Sequence, residues 1–148
     1  MSAAWVHPRI LFGSGDMLTP EFAEQHHVTH VINCAFDEHS PSWFKEQNHG
    51  KYVCLEAEDS FKVNILFWYP AFQAAMNEFL RDSDCNVVFV HCQAGINRSG
   101  FLVLAYVCKK FGYDYDTTKT NILLQRPQAL QNSFFEEQVR YFVSKLIF

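Results

Sequence analysis

Apolar and polar positions along this 148-residue chain fall into short segments that predict strands alternating with helices early and helices alone late. Apolar or β-branched runs of strand length, which suit a pleated surface, occur at 10–12, 28–34, 52–55 and 87–90. Apolar residues at helical spacing predict helices over 65–81, 99–111, about 115–125 and about 132–148. Thr19-Pro20 has the form of a helix start and predicts a short helix to about residue 26, and 41–47 is expected to form a helical turn. This order predicts an α/β fold with a small, mostly parallel central sheet flanked by helices.

The segment 87–90 is apolar at every position. An uninterrupted apolar run is expected where both faces of a strand are covered, so this segment predicts a central strand of a parallel sheet. The next helix, Ser99 to Phe111, is also strongly apolar and is ended by Gly112. The residues between this strand and this helix therefore form a loop near the centre of the predicted domain.

The composition favours one folded domain over residues 1–148. Hydrophobic residues make up 49% of the chain and charged residues 19%, so the chain is too apolar to stay disordered. Its length suits a single core. The formal net charge of −4 provides no broad basic surface, and no apolar run approaches membrane-spanning length. We therefore expect no membrane partner, and the charge disfavours nucleic acid.

The cysteines and the N-terminus indicate an intracellular protein. The five cysteines are scattered and form no C-x-x-C pair, which fits a reducing compartment better than a disulfide framework. The segment Met1 to Pro8 has neither the basic residues nor the apolar run of a signal peptide. These features predict a cytoplasmic or nuclear location. No zinc-ligand spacing occurs among the cysteines and the seven histidines, so no metal is expected.

The most informative segment is the loop between the apolar strand and the apolar helix, which runs His91-Cys92-Gln93-Ala94-Gly95-Ile96-Asn97-Arg98-Ser99-Gly100. A loop that leaves a strand and enters a helix N-terminus aims several backbone N–H groups at one point, where the helix dipole adds positive potential. Such a site suits a phosphate dianion. We call residues 92–98 the phosphate loop. Its predicted phosphate-binding residues are Gln93, Ala94, Gly95, Ile96, Asn97 and Arg98.

Four residues in and around the phosphate loop have predicted roles in catalysis. The field that binds phosphate also favours the thiolate of Cys92, which makes this residue the predicted nucleophile. Arg98 follows at Cys-x5-Arg spacing, and its planar guanidinium can hold two phosphoryl oxygens at once. Ser99 can donate its hydroxyl to the sulfur when the sulfur leaves, and His91 is expected to fix the loop by hydrogen bonding. The alternative is a structural cysteine beside a helix cap.

The segment 91–100 resembles the H-C-x-x-G-x-x-R-[ST]-G signature of the protein tyrosine phosphatase superfamily, and the short chain resembles its dual-specificity branch. The resemblance covers about residues 10–142 and implies a protein-tyrosine-phosphatase-like fold. Gln131 is a departure, because the family usually has proline there, and we expect it to affect only a turn. Further matching stretches are Val31-Ile32-Asn33, Ala105-Tyr106, Arg126-Pro127 and Asn132-x-x-Phe135-x-x-Gln138.

The resemblance also implies a general acid on a separate loop upstream of the cysteine. Asp59 lies 33 positions before Cys92 and follows a predicted strand, which is similar to the position of the acid in the family. Glu56 and Glu58 are competing candidates. The alternative is that all three carboxylates form a solvated acidic turn, in which case none of them is the general acid.

Three further residues have two interpretations each. Asn33 is a supporting residue that either braces the phosphate loop or caps the end of its strand. Asn132 is a supporting residue that either does the same or N-caps the last helix. Cys34 either belongs to the core or acts as a redox partner of Cys92.

The predicted function is hydrolysis of phosphotyrosine, and also of phosphoserine or phosphothreonine, in a phosphorylated protein substrate. The resemblance implies this activity, with a phospho-cysteine intermediate and no cofactor or metal. One alternative is an RNA 5′-triphosphatase of the same superfamily, since Asn97 and Phe101 fit that variant of the loop, although the acidic charge and Asp59 disfavour it. A third reading is a non-catalytic phosphate-binding module.

Overall fold

The computed structural model describes residues 2–48 and 50–145. The strands of the described chain are β1 Ala4–His7, β2 Ile10–Ser14, β3 Val28–Asn33, β4 Tyr52–Cys54 and β5 Val87–Cys92. The α-helices are α1 Pro20–His26, α2 Ser42–Gln47, α3 Tyr69–Arg81, α4 Arg98–Phe111, α5 Tyr115–Gln125 and α6 Ser133–Ser144. The end of the last predicted helix, residues 146–148, lies outside the described residues.

The described strands form one sheet in the order β1-β2-β5-β3-β4, with β5 at its centre. β5 pairs in parallel with β2 on one side and with β3 on the other, and β3 pairs in parallel with β4. The predicted central parallel strand is thereby confirmed. The sequence analysis missed β1, which pairs antiparallel with β2 at the sheet edge. Its four residues are too few to give a clear period.

Helices cover both faces of the sheet, so side chains that alternate along each strand enter two separate apolar clusters. Val88 and Val90 point into the larger cluster, which α3, α4, α5 and α6 cover. Val87 and Phe89 point into the smaller cluster beneath α1 and α2. The fold is therefore the predicted α/β arrangement, with the uninterrupted apolar run of β5 explained by burial on both faces.

The predicted helix over 65–81 consists of two parts. Ile65–Trp68 is a 3-10 turn, and α3 begins at Tyr69 with Pro70 in its first turn. Proline is tolerated there because the first helical N–H groups have no intrahelical acceptor. The same logic places Pro20 at the start of α1, where the Thr19 hydroxyl accepts from the backbone N–H of Phe22.

Parallel pairing brings the carboxyl ends of β2, β3, β4 and β5 to the same edge of the sheet. The connection from β5 to α4 and the connection that follows β4 both leave from this edge. Ligand sites of parallel α/β sheets lie at this position. Among the described helices, none has the combination of length and apolarity that crossing a bilayer requires.

Candidate active site

The phosphate loop turns sharply between β5 and α4. Gly95 lies at its centre with φ of +65°, a left-handed conformation that side chains other than glycine adopt at a cost. A Cβ atom at this position would lie 2.4 Å from the carbonyl carbon of Gly13 and 2.5 Å from the backbone nitrogen of Ser14. The loop therefore packs directly against the backbone at the end of β2, and only glycine permits that approach.

Cys92 is the last residue of β5 and is 2% exposed. Its Sγ lies 3.2 Å from the Oγ of Ser99, in the first turn of α4. A hydroxyl at this distance can donate to a thiolate, and the N-terminus of α4 adds its positive potential. The predicted pairing of Cys92 with Ser99 is thus present, and the buried sulfur has a donor suited to its charged form.

Arg98 lies at the start of α4 and is 8% exposed. Its Nη1 donates to the backbone carbonyl of Ala57 at 3.1 Å, which fixes the guanidinium plane. Its Nε is buried and has no hydrogen-bond partner among the described residues. A buried donor without an acceptor is costly, so the site is suited to a ligand that brings an anionic oxygen.

His91 lies beneath the phosphate loop. Its Nε2 and the Oγ of Ser40 are 3.0 Å apart, and its Nδ1 lies 3.3 Å from the carbonyl oxygen of Cys92. Burial lowers the pKa of His91 to about 4; the hydrogen bond to the carbonyl of Cys92 opposes this shift, and electrostatic interaction with His39 adds to it. The imidazole is therefore neutral near pH 7, and it ties the end of β5 to the segment around Ser40.

Arg126 is a supporting residue that the sequence analysis did not include in the site. It is fully buried, and its guanidinium donates to two carbonyls of the phosphate loop: Nε to Gly95 at 2.7 Å and Nη2 to Ala94 at 2.8 Å. These bonds supply a charged donor to two carbonyls of the phosphate loop and so brace its backbone. The available signal was the Arg126-Pro127 match, which gave no role for the side chain.

Two side-chain amides hold the carboxylate of Asp59. Asn97 Nδ2 donates to Oδ2 at 2.9 Å, and Asn132 Nδ2 donates to Oδ1 at 3.1 Å. Asn97 belongs to the phosphate loop, and Asn132 precedes α6. The structure therefore brings the predicted acid to the phosphate loop. Glu56 and Glu58 are exposed and take no part in these bonds.

The segment that carries Asp59 is also bonded to α6. Gln138 Oε1 accepts from the backbone N–H of Ile65 at 2.9 Å, and its Nε2 donates to the carbonyl of Val63 at 3.1 Å. Between Asn132 and Gln138, Phe135 is fully buried and packs edge-on against Phe101 of α4. The matching stretch Asn132-x-x-Phe135-x-x-Gln138 thus anchors residues 57–65, which we call the acid segment, to the rest of the fold.

Gln131 does more than shape a turn. Its backbone N–H donates to Oδ1 of Asn97 at 2.8 Å, alongside the N–H of Asn132 at 2.7 Å. Proline has no N–H and would lose the first of these bonds. The expectation that this departure affects only a turn is therefore wrong, because Gln131 helps to fix the amide that holds Asp59.

Asn132 serves both interpretations made from sequence, since its Oδ1 also caps α6 by accepting from the N–H groups of Phe134 and Phe135. Asn33 has the bonds of a strand cap. Its Oδ1 accepts from the N–H of Ala35, and its Nδ2 donates to the carbonyl of Phe36. Asn33 thus orders the segment after β3, and within the described chain its side-chain bonds do not reach the phosphate loop.

Cys34 is fully buried next to the end of β3, and its backbone N–H donates to the carbonyl of His91. Burial, followed by the charge of Cys92, raises the pKa of the Cys34 thiol well above its usual range. A neutral thiol is the form expected of a core residue. Within residues 2–48 and 50–145, the His, Cys, Asp and Glu side chains form no group of three that could hold a metal ion.

Comparison with known proteins shows which family this chain resembles. Residues 10–145 match the family model described as the catalytic domain of dual specificity phosphatases. The chain is 28% identical over 137 residues to dual specificity protein phosphatase 19 of Mus musculus, covering 91% of this chain and 59% of that protein. It is 31% identical over 121 residues to dual specificity protein phosphatase 4 of Homo sapiens, covering 81% of this chain and 29% of that protein. The chain thus spans less than two thirds of the length of these relatives.

Solved structures share the fold. Human DUSP28 superposes with a TM-score of 0.78 at 21% identity, over 96% of this chain and 93% of that chain. The human tyrosine phosphatase-like serine/threonine/tyrosine-interacting protein superposes with a TM-score of 0.77 at 22% identity, over 95% and 94% of the two chains. At these identities the likeness concerns the fold alone.

Proposed function

This chain belongs to the dual specificity phosphatase family, and from that premise we propose that it is a phosphoprotein phosphatase that works through a phospho-cysteine. Its substrates are phosphotyrosine and phosphoserine or phosphothreonine in proteins. The observation that carries the proposal is Arg98, whose Nε is a buried donor without a partner in the described chain, beside the Cys92–Ser99 pair. A phosphoryl group brings both the electrophile for the sulfur and the anionic oxygens for the guanidinium.

In the first step, the Cys92 thiolate attacks phosphorus while the bond between phosphorus and the leaving oxygen breaks. Asp59, in its protonated form, gives its proton to that oxygen, so the product leaves as a neutral phenol or alcohol. The guanidinium of Arg98 neutralises charge on the transferring group. The backbone N–H groups of the phosphate loop do the same, and they belong to Gln93, Ala94, Gly95, Ile96, Asn97 and Arg98. Because these donors are fixed in advance, little reorganisation is needed in the transition state.

In the second step, water attacks phosphorus and the bond between phosphorus and sulfur breaks. The carboxylate of Asp59 accepts the proton of the water, and inorganic phosphate is released. The sulfur departs as a thiolate, and the Ser99 hydroxyl, 3.2 Å from it, stabilises the developing charge by donating a hydrogen bond. Arg126 holds the phosphate loop, His91 holds the end of β5, and Asn132 holds the carboxylate of Asp59, while Asn33 orders the segment after β3.

We propose further that residues 1–148 act as one catalytic domain, without a metal or cofactor, in a cytoplasmic or nuclear compartment. The phosphate loop already supplies a cation and several N–H donors, which perform the charge stabilisation that a metal gives to other phosphatases. The free state of the five cysteines in the described structure fits a reducing compartment.

The experiment that tests the proposed function compares wild type with Cys92→Ser on four substrates: a phosphotyrosine peptide, a phosphothreonine peptide, 5′-triphosphate RNA and a phosphoinositide. We expect turnover of the phosphopeptides by wild type, no turnover by the variant, and retained phosphopeptide binding by the variant. Activity should persist with a metal chelator. A higher kcat/KM for triphosphate RNA than for both peptides, or turnover by Cys92→Ser, would reject the proposal.

A further inference from the structure

Two exposed phenylalanines stand together beside the acid. The side chains of Phe61 and Phe134 are 62% and 47% exposed, and their ring centroids lie 5.3 Å apart in an edge-to-face arrangement. Single exposed apolar residues are common on protein surfaces, whereas adjacent aromatic rings at the edge of a cleft are typical of binding sites.

The two rings belong to two segments that a hydrogen bond of Asp59 joins. Phe61 is two residues after Asp59, and Phe134 is two residues after Asn132, whose amide donates to Asp59 at 3.1 Å. A cleft of about 370 Å³ opens at this point. Its lining residues are Asp59, Ser60, Phe61, Asn97, Gln131 and Asn132. Phe61 therefore lines the same cleft as Asp59, and Phe134 packs against Phe61.

A general acid acts only within hydrogen-bond reach of the oxygen that it protonates. The carbon group on that oxygen must then lie next to Asp59, at the edge where the two rings are exposed. We propose that Phe61 and Phe134 form an aromatic rim that receives the phenyl ring of phosphotyrosine and so favours phosphotyrosine over phosphoserine and phosphothreonine. This inference rests on the proposed function and names the substrate class of the same site.

The chemistry of the cleft fits an aryl leaving group. A phenyl ring carried directly on the leaving oxygen can make edge-to-face contacts with the rim, whereas serine and threonine carry only one or two carbons there before the peptide backbone. Contacts between aromatic rings contribute roughly two- to tenfold in affinity beyond simple burial. An RNA 5′ end would bring further phosphates, and none of the residues that line the cleft is basic.

The experiment measures kcat/KM on a phosphotyrosine and a phosphothreonine peptide with identical flanking sequence, for wild type, Phe61→Ala, Phe134→Ala and Phe61→Leu. We expect each alanine variant to lose roughly three- to tenfold on phosphotyrosine and less than about twofold on phosphothreonine. Phe61→Leu, which keeps apolar surface but no ring, should lie between wild type and alanine. A thermal melt of each variant checks folding, since both positions are exposed.

Phe67→Ala is the matched control. Phe67 is 79% exposed and also forms an edge-to-face pair, with Trp68 at 5.3 Å, but neither ring of this pair lines the cleft around Asp59. This variant should leave the phosphotyrosine to phosphothreonine ratio of wild type unchanged. An unchanged ratio in both Phe61→Ala and Phe134→Ala would overturn the aromatic rim, as would a larger loss by either variant on 5′-triphosphate RNA than on phosphotyrosine.

A second measurement separates the rim from the proposed function. Binding of the two peptides is measured with Cys92→Ser and with Cys92→Ser combined with Phe61→Ala, so that turnover is not needed. Wild type that hydrolyses neither peptide rejects the proposed function. Independently, equal peptide affinities in the two binding variants reject the rim, whereas a selective loss of phosphotyrosine affinity supports it.

Discussion

The side-chain amide of Asn97 in the phosphate loop donates to the carboxylate of Asp59 at 2.9 Å. The Oδ1 atom of the same amide accepts from the backbone N–H groups of Gln131 and Asn132 at 2.8 and 2.7 Å. Asn97 therefore joins three separate segments: the phosphate loop, the acid segment and the turn before α6. Asn97 therefore links the Asp59 carboxylate directly to the phosphate loop.

Asn97→Ala should slow hydrolysis by loosening Asp59 rather than by weakening phosphate binding. We expect kcat for an alkyl phosphate to fall by about tenfold and kcat for an activated aryl phosphate to change little, because only the first needs a well-placed proton. The affinity for inorganic phosphate should stay near that of wild type. Asn121→Ala, a substitution of an exposed asparagine on α5, is the control. A loss of phosphate affinity with uniform kcat would contradict this role.

Asp59→Asn should produce a larger effect of the same kind. General acid catalysis contributes about 10²–10⁴-fold, so we expect a loss of that order on phosphothreonine peptide and a small loss on para-nitrophenyl phosphate. Glu58→Gln is the matched control, because Glu58 is a nearby exposed carboxylate. Equal losses on both substrates would mean that Asp59 only shapes its segment. A selective loss in Glu58→Gln would transfer the role of acid to Glu58.

Arg98→Lys should be nearly as damaging as Arg98→Ala. The guanidinium has one N–H committed to Ala57 and further donors for the phosphoryl group, whereas an ammonium is a point charge without that fork geometry. We expect kcat/KM to fall by roughly 10²-fold or more in both variants. The measurement is steady-state kinetics with inorganic phosphate as a competitive inhibitor. A kcat/KM of Arg98→Lys within threefold of wild type would show that the planar guanidinium contact with the phosphoryl group is not required.

Arg126→Lys should destabilise the protein and weaken phosphate binding together. The substitution removes the guanidinium donors from the carbonyls of Ala94 and Gly95 in the phosphate loop. We expect a loss of about 2–4 kcal/mol in the free energy of unfolding, because hydrogen bonds to charged groups contribute more than neutral ones. Arg140→Lys, at an exposed arginine, is the control. Full stability with unchanged phosphate affinity would reject a bracing role.

The stability of the protein should depend on His91 at acid pH. Burial lowers the pKa of His91 to about 4, while the unfolded chain has the ordinary value of 6.5. Between these values the unfolded state binds a proton that the folded state excludes, so the free energy of unfolding falls as pH falls from 6.5 towards 4. The slope is at most about 1.4 kcal/mol per pH unit. Denaturant unfolding at pH 7, 6 and 5 should show this component in wild type and not in His91→Gln. Parallel profiles would refute it.

Particular patterns in the sequence were sufficient for the architecture. The uninterrupted apolar run at 87–90 predicted the central strand, because both of its faces had to be covered. The predicted helix over about 115–125 is confirmed as α5, Tyr115–Gln125. β1 was missed, since a four-residue edge strand is too short to show a clear alternation of apolar and polar residues. The 3-10 turn at Ile65–Trp68 was also missed, because its apolar residues continue the helical spacing of α3.

The sequence by itself determined the contiguous part of the site. Cys92, Arg98 and Ser99 lie on one strand–loop–helix unit, whose geometry follows from local backbone rules and a single glycine. Only the tertiary structure decided which distant groups complete it. Arg126 braces the loop carbonyls, Asn97 and Asn132 hold Asp59, and Phe134 packs against Phe61 at the cleft that Asp59 lines. These contacts join residues 31 to 73 positions apart in the chain. No local pattern of apolar and polar residues indicates such pairings, because they arise from how the helices pack on the sheet.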